Sequence, residues 1–195
     1  MLPDGYADVP PRKLAAVVTH LQMSVPPEPR PVPAVAAELV AHATPDPAWY
    51  RALFTRVGRD WLWFSRLGMA DAALTAILHD PRVEVFSLRQ AGRDLGLLEL
   101  DFRVAGECEL AYFGLAAEMR GQGAGRWLMA QALARAWSAP IGRFHVHTCT
   151  LDSPAALDFY IRSGFTPYRR QVEVADDPRL SGQLPREAAP QVPIL

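Results

Sequence analysis

RGQGAG, residues Arg120–Gly125, stands between a strand-like run, ELAYFGL (Glu109–Leu115), and a strongly helical one, RWLMAQALARAW (Arg126–Trp137). Alternating glycines at a strand-to-helix junction mean that backbone passes close to something. Without Cβ atoms, successive N–H groups can turn inward, and a helix start adds positive potential. Such a loop suits a phosphate or pyrophosphate, so a nucleotide-bearing cofactor is the first hypothesis. Spacing separates the known loop types. A P-loop needs Gly, four residues, then Gly-Lys-Ser/Thr, whereas Gly125 is followed by Arg126 and Trp127. The dinucleotide fingerprint Gly-x-Gly-x-x-Gly fails in both frames. Its third place falls on Arg126 when counted from Gly121 and on Leu128 when counted from Gly123.

A third pattern, Gln/Arg-x-x-Gly-x-Gly/Ala, fits Arg120, Gly123 and Gly125. In this the chain resembles the GNAT superfamily of acetyl-CoA-dependent N-acetyltransferases. A second element strengthens the resemblance. SPAALDFYIRSGF (Ser153–Phe165) looks like that family's last conserved helix, which ends in Tyr, three residues, then Gly-Phe; Tyr160, Gly164 and Phe165 occupy those places. The gap between the motifs has room for one helix and one strand. The resemblance runs from about Leu14 to Val174 and is clearer in the second half. It implies a mixed α/β (α+β) domain of GNAT type: a mostly antiparallel, twisted sheet with helices on both faces. It also implies acetyl-CoA as co-substrate and direct transfer to a primary amine within a ternary complex. Phe113, Gly114, Leu115, Arg120, Gly121, Gln122, Gly123, Ala124, Gly125 and Arg126 would then bind the cofactor. Ser153 stands where the family often has Asn; it is a good helix N-cap, with Pro154 at the first helical position.

Composition bounds the rest. A chain of 195 residues, 50% apolar, suits one domain with a real core and argues against disorder. A net charge of −1 is not that of a nucleic-acid binder. Two cysteines, Cys108 and Cys149, give no disulfide framework and suit a reducing compartment. The start, MLPDGYADVPPRK, lacks the basic and apolar regions of a signal peptide. No apolar run approaches the ~20 residues of a membrane span. A cytoplasmic protein is expected, with neither nucleic acid nor membrane as partner and with the oligomeric state open, a homodimer included.

Along the chain, residues 1–12 read as a loose arm, 13–175 as the domain and 176–195 as a tail. Leu14–Met23 reads as a first strand. Pro26 to Pro33 (PPEPRPVP) reads as an extended connector. Ala34–His42 suggests a short helix and Asp71–Leu78 another. Val83–Arg89, Leu95–Val104 and Glu107–Leu115 should form an antiparallel meander. Leu128, Met129, Ala132, Leu133, Ala136 and Trp137 make one helical stripe. Phe144–Thr150 alternates as a strand, and Tyr168–Val174 is a last one.

Acetyl transfer to an amine needs a neutral amine, a polarised carbonyl, alignment, and a proton for the leaving thiolate. By period two, Glu107, Glu109, Ala111, Phe113 and Leu115 share a strand face. Glu109 stands where one branch of the resembled family carries its catalytic Glu, and acting through water it is the candidate base; Glu107 is the alternative. Tyr160 matches the family's thiol-proximal phenol and is the candidate acid. Gly114 is compatible with a bulge that offers a backbone N–H near Leu115 to the carbonyl. The aromatic and arginine-rich stretch Trp49–Arg66 is expected to be core for the most part, with Arg56, Trp61 and Trp63 reaching the acceptor. Arginine there would favour an acceptor with a carboxylate. His145 and His147 share a strand face, but no cluster with ligand spacing accompanies them and no metal is expected. The resemblance thus gives a small-molecule or peptide amine acceptor; a catalytically silent acyl-CoA-binding or sensing module on the same fold is the alternative.

Overall fold

In the computed structural model, which describes residues 4–194, strand β1 (Lys13–Met23) lies between the two strands that come last in the chain, β6 (Arg143–Cys149) and β7 (Thr166–Asp176). The other elements are β2 (Glu38–His42), α1 (Pro47–Gly58), α2 (Asp71–Leu78), β3 (Val83–Gln90), β4 (Arg93–Asp101), β5 (Glu107–Leu115), α3 (Ala124–Ala136) and α4 (Ala156–Arg162). The described residues form a 7-stranded sheet in the order β2-β3-β4-β5-β6-β1-β7. Every neighbouring pair is antiparallel except β5 and β6, which are parallel. This is the expected mixed, mostly antiparallel architecture.

Each face carries its own core. On one, α3 and α4 cover Leu98, Leu100, Leu110, Phe144 and Val146. On the other, Tyr50, Phe54, Val57, Leu74 and Leu78 of α1 and α2 pack on Val83, Val85 and Leu97. Strand β1 serves both faces in turn. Leu14, Ala16 and Val18 are buried on one side, and Leu21 and Met23 on the other, because different elements cover its two halves. The residues after β7 fold back over the first half. Leu184, Ala188 and Ala189 pack with Leu14 and Leu62. Arg179, ion-paired to Asp177 at 2.7 Å, donates to the carbonyls of Ala188, Ala189 and Val192.

Two elements differ from the sequence reading. The helix expected over 34–42 is in fact the edge strand β2, paired residue by residue with β3 from Glu38↔Arg89 to His42↔Val85. Ladder hydrogen bonds to a formed sheet outweigh the weak helix propensity of Ala, Glu and Leu over five residues. Conversely, the stretch from Pro47 is helix α1. Its start is written in Asp46-Pro47: the Asp46 carboxylate accepts from the N–H groups of Ala48 (2.9 Å) and Trp49 (3.0 Å), and Pro47 opens the first turn. Asp46→Ala is expected to cost ~1 kcal/mol, read as a lower melting temperature.

Candidate active site

The site is a break in the sheet. Strands β5 and β6 run together from Glu107↔Arg143 only to Glu109↔His145 and then diverge. A cavity of about 580 Å³ fills the splay, in the size range of ligand sites. Its walls come from both sides of the sheet: Leu110, Phe113, Val146, Phe159 and Tyr160 on the α3–α4 side, and Tyr112, His147 and Trp63 on the other. It is therefore a passage through the sheet.

Strand β5 carries a bulge that the period-two reading does not contain. Glu99 of β4 pairs with Tyr112 while Leu100 pairs with Leu110, so Ala111 is the extra residue. The alternation reverses there. Leu110 and Phe113 face the α3–α4 core, and Tyr112 faces the α1–α2 core. Glu109, opposite Asp101, consequently shares a side with Tyr112 and not with Phe113 or Leu115. Gly114 is needed for closeness: a Cβ there would lie 2.5 Å from Val57 Cγ1 and 3.0 Å from Trp63.

At one end of the passage is the glycine loop. Gly121 and Gly123 have φ of 78° and 79°, a left-handed conformation that side chains resist. Gly123 is the N-cap of α3, with no side chain capping it. Among the described residues the N–H groups of Gly121, Gln122 and Gly123 make no hydrogen bond. Arg120, Gly121, Gly125 and Arg162 line the cavity. Arg120 also donates to Asp60 at 3.1 Å and lies over the Trp61 ring, tying the loop to the α1–α2 connector. Gly123 sits under Pro33 of the proline-rich connector, 2.9 Å from where its Cβ would be. Gln122, Gly123, Ala124 and Arg126 lie off the cavity wall; Ala124 is buried and Gln122 donates to Glu118 O. These bare N–H groups, glycines and guanidinium groups fit a pyrophosphate. Gly125→Asp tests that fit. An acidic residue suits the first turn of a helix, and its Cβ would meet only Phe159 and Leu115, at 3.8 and 3.9 Å. The fold should hold, while calorimetric affinity for acetyl-CoA falls by at least about tenfold.

Phe113, Leu115 and Ser153 line the middle of the passage. Ser153 is not the cap of α4, as the sequence suggested. Its carbonyl accepts from Ala156 N in a preceding turn, and the helix proper opens at Ala156. Beside it, Asp152 accepts from Thr148 Oγ1 (2.7 Å), Cys149 N (2.9 Å) and Trp63 Nε1 (3.2 Å). Tyr160 is buried to 7% exposure on this wall, and burial raises its phenol pKa, so the hydroxyl keeps its proton. Cys149 also lines the cavity, but burial pushes its thiol up to about 11, which leaves it protonated and a poor nucleophile.

At the far end, His147 Nδ1 stands 3.6 Å from Glu109 Oε1. The contact with Glu109 raises the His147 pKa above 6.5 and lowers that of Glu109. Of the two, only His147 lines the cavity; Glu109 stands behind it. His145, 3.5 Å from Glu107, has its pKa lowered by burial. Trp61 and Trp63 line the cavity, whereas Arg56 lies away from it and donates to Asp94 O. The sequence reading named His147 beside His145 as a structural or substrate-lining histidine and gave it no role in catalysis; what sets it apart is the parallel ladder. His147 comes two places after His145, where β6 leaves Glu109. Among the described residues no group of three or more His, Cys, Asp or Glu could hold a metal, and no helix is long and apolar enough to cross a membrane.

The model of the Acetyltransferase (GNAT) family matches residues 45–165, more than half of the chain, and the chain belongs to that family. Solved structures share the fold at low identity. A structure from Novosphingobium aromaticivorans assigned to the GNAT family is 16% identical, with TM-score 0.59, over 86% of this chain and 68% of that one. A GCN5-related N-acetyltransferase from Sphaerobacter thermophilus is 17% identical, with TM-score 0.56, over 86% of this chain and only 53% of its own. An aminoglycoside acetyltransferase from an uncultured soil metagenomic sample is 16% identical, with TM-score 0.53, over 66% and 88%. The chain spans little more than half of the Sphaerobacter protein. No curated protein matches.

Proposed function

We propose that this chain is an acetyl-CoA-dependent N-acetyltransferase acting on a primary amine of a small molecule or peptide, by direct transfer in a ternary complex. The observation that carries the reading is the passage through the sheet, with a phosphate-type glycine loop at one end and a histidine–carboxylate pair at the other. Gly121, Gly125, Arg120 and Arg162 would hold the phosphates, and Phe113, Leu115 and Ser153 would flank the arm. Acetyl-CoA supplies the activated acetyl thioester. His147 takes the proton of the amine, and the Glu109 carboxylate, 3.6 Å from Nδ1, stabilises the imidazolium that forms; the base thus moves from Glu109, the sequence candidate, to the residue in front of it. The backbone at the Ala111 bulge and near Leu115 offers N–H groups to the carbonyl. Tyr160 keeps its proton for the departing sulfur. Two free thiols suit a reducing, cytoplasmic setting.

The test pairs binding with turnover. Saturating acetyl-CoA, at ~100 times its Kd, should stabilise the fold by ~2.7 kcal/mol, and CoA release should follow when a panel of amines is added. No thermal shift would refute the cofactor; a shift with no turnover on any amine would leave the silent acyl-CoA module. Within the reading, Tyr160→Phe should slow turnover about 10²-fold without weakening acetyl-CoA binding. Its rate should also depend more steeply on the acidity of the leaving thiol when two thioester donors are compared. Equal dependence would make Tyr160 a packing residue.

A further inference from the structure

Several carboxylates around the sheet are matched with arginine. Asp60 pairs with Arg120, Asp94 with Arg89, Glu99 with Arg66, Asp101 with Arg103, Glu107 with Arg143 and Asp177 with Arg179. Other carboxylates, such as Glu28, Glu38, Asp46 and Asp158, have no ion-pair partner among the described residues, but they lie off the cavity wall. Glu173 and Asp152 both line the cavity, and neither has an ion-pair partner among the described residues. Asp152 is held by three neutral donors. Glu109, behind His147, faces the imidazoles of His147 and His145 and no arginine among the described residues. Glu173 stands on the exposed strand β7 opposite Ala16, whose small side chain cannot screen it. His147 lies on the same side of the sheet, since it pairs with His20 of β1 as Glu173 pairs with Ala16, and residues of even number share a β1 face.

The cations are distributed the other way. The arginines on the cavity wall, Arg120 and Arg162, belong to the glycine-loop and α4 side. In the α1–α2 region, Arg51, Arg56 and Arg66 are spent on Asp71, Asp94 O and Glu99. Arg169 is on the Glu173 side of β7 but is not on the cavity wall. The passage is therefore bipolar: basic where phosphates would enter, acidic at its other end. An acceptor with a carboxylate, which the arginine-rich stretch suggested, would find no guanidinium on the cavity wall at that end among the described residues.

We infer that the acceptor carries a second cationic group besides the amine that reacts, and that Glu173 binds it. This rests on the transferase reading above. While His147 relieves the reacting nitrogen of its proton, the other ammonium stays charged and is held at the mouth by Glu173. The class is a diamine, a polyamine or a similarly polycationic small molecule.

Three amines with the same four-carbon chain test this: putrescine, butylamine and γ-aminobutyrate. The expected order of kcat/KM is putrescine first and γ-aminobutyrate last. Glu173→Gln, a change at an exposed position, should lower putrescine kcat/KM about tenfold, the loss expected for a charged hydrogen-bond partner. It should act mainly through KM and leave butylamine unchanged. Added salt should weaken the wild-type preference and have little effect on the variant. Equal use of the three amines, a preference for γ-aminobutyrate, or unchanged putrescine kinetics in Glu173→Gln would overturn the inference while leaving the transferase standing. If acetyl-CoA binds but no amine is acetylated, the transferase reading fails instead. Calorimetric titration of putrescine and butylamine into the CoA-saturated protein then decides the inference. Tighter putrescine binding, weakened by Glu173→Gln, supports it; no difference refutes it.

Discussion

His147→Gln lowers kcat/KM for amine acetylation by about 10²–10⁴-fold, the usual worth of a positioned general base, and leaves acetyl-CoA affinity intact. Glutamine keeps a polar side chain at the cavity wall but cannot take the proton. The pH profile identifies which of the paired residues is the base. Glu109 raises the His147 pKa above 6.5, and His147 in turn lowers that of Glu109 below 4.5. If imidazole is the base, activity must rise with pH through a limb above 6.5, because only the neutral ring accepts a proton. If the carboxylate is the base, it is ionised across the whole neutral range, and the profile is flat there. Glu109→Gln sharpens the contrast. Removing the carboxylate removes the cause of the raised pKa, so the limb moves to lower pH while the maximal rate falls less than in His147→Gln. A profile without a limb near neutrality, with Glu109→Gln as damaging as His147→Gln, would return the base role to Glu109.

Glu99→Ala destabilises the fold by about 3–5 kcal/mol, the cost of stranding one member of a buried ion pair. Glu99 is fully buried and accepts from Arg66 Nη2 at 2.5 Å and from the Tyr50 hydroxyl. Burial pushes its carboxyl pKa up, and the guanidinium opposes that rise. Arg66 also lies 5.1 Å from the Tyr112 ring centroid, and its neighbour Ser65 meets the Tyr112 hydroxyl. The charge pair thus pins the α1–α2 connector to β4, and the Arg66 and Ser65 contacts with Tyr112 extend the hold to β5, the strand that walls the cavity. Urea unfolding measures the loss. The double variant Glu99→Met with Arg66→Met should be closer to wild type than Glu99→Ala alone, since both charges then leave the interior. A loss under about 1 kcal/mol for Glu99→Ala would mean that water reaches Arg66.

What the sequence made legible follows from how each feature is encoded. The β3–β5 meander and helix α3 have strong local periods, and the glycine loop is a contiguous motif, so all were readable. Strand β2 was not, because five residues of helix-favouring composition become a strand only through β3. The Ala111 bulge leaves no mark in composition, yet it decides which side of the sheet Glu109 faces. Glu173, and the base role of His147, escaped for a related reason. Each gains its role from a neighbour on another strand, and β1 meets β6 and β7 from the opposite end of the chain. Arg56, by contrast, looked available in sequence because its engagement with Asp94 O joins α1 to a distant turn.

The position of β1 also has a consequence for how the molecule is made. Its ladders join Lys13 to Asp176 and Val18 to Cys149, contacts that span almost the whole sequence. During synthesis, at roughly 5–20 residues per second, this strand leaves the ribosome before β6 and β7 and waits for both of its partners. Contacts so distant in sequence form slowly. Until they form, β6 shows a bare edge. The passage between β5 and β6 thus gains its outer wall only when β1 finds the two strands made long after it.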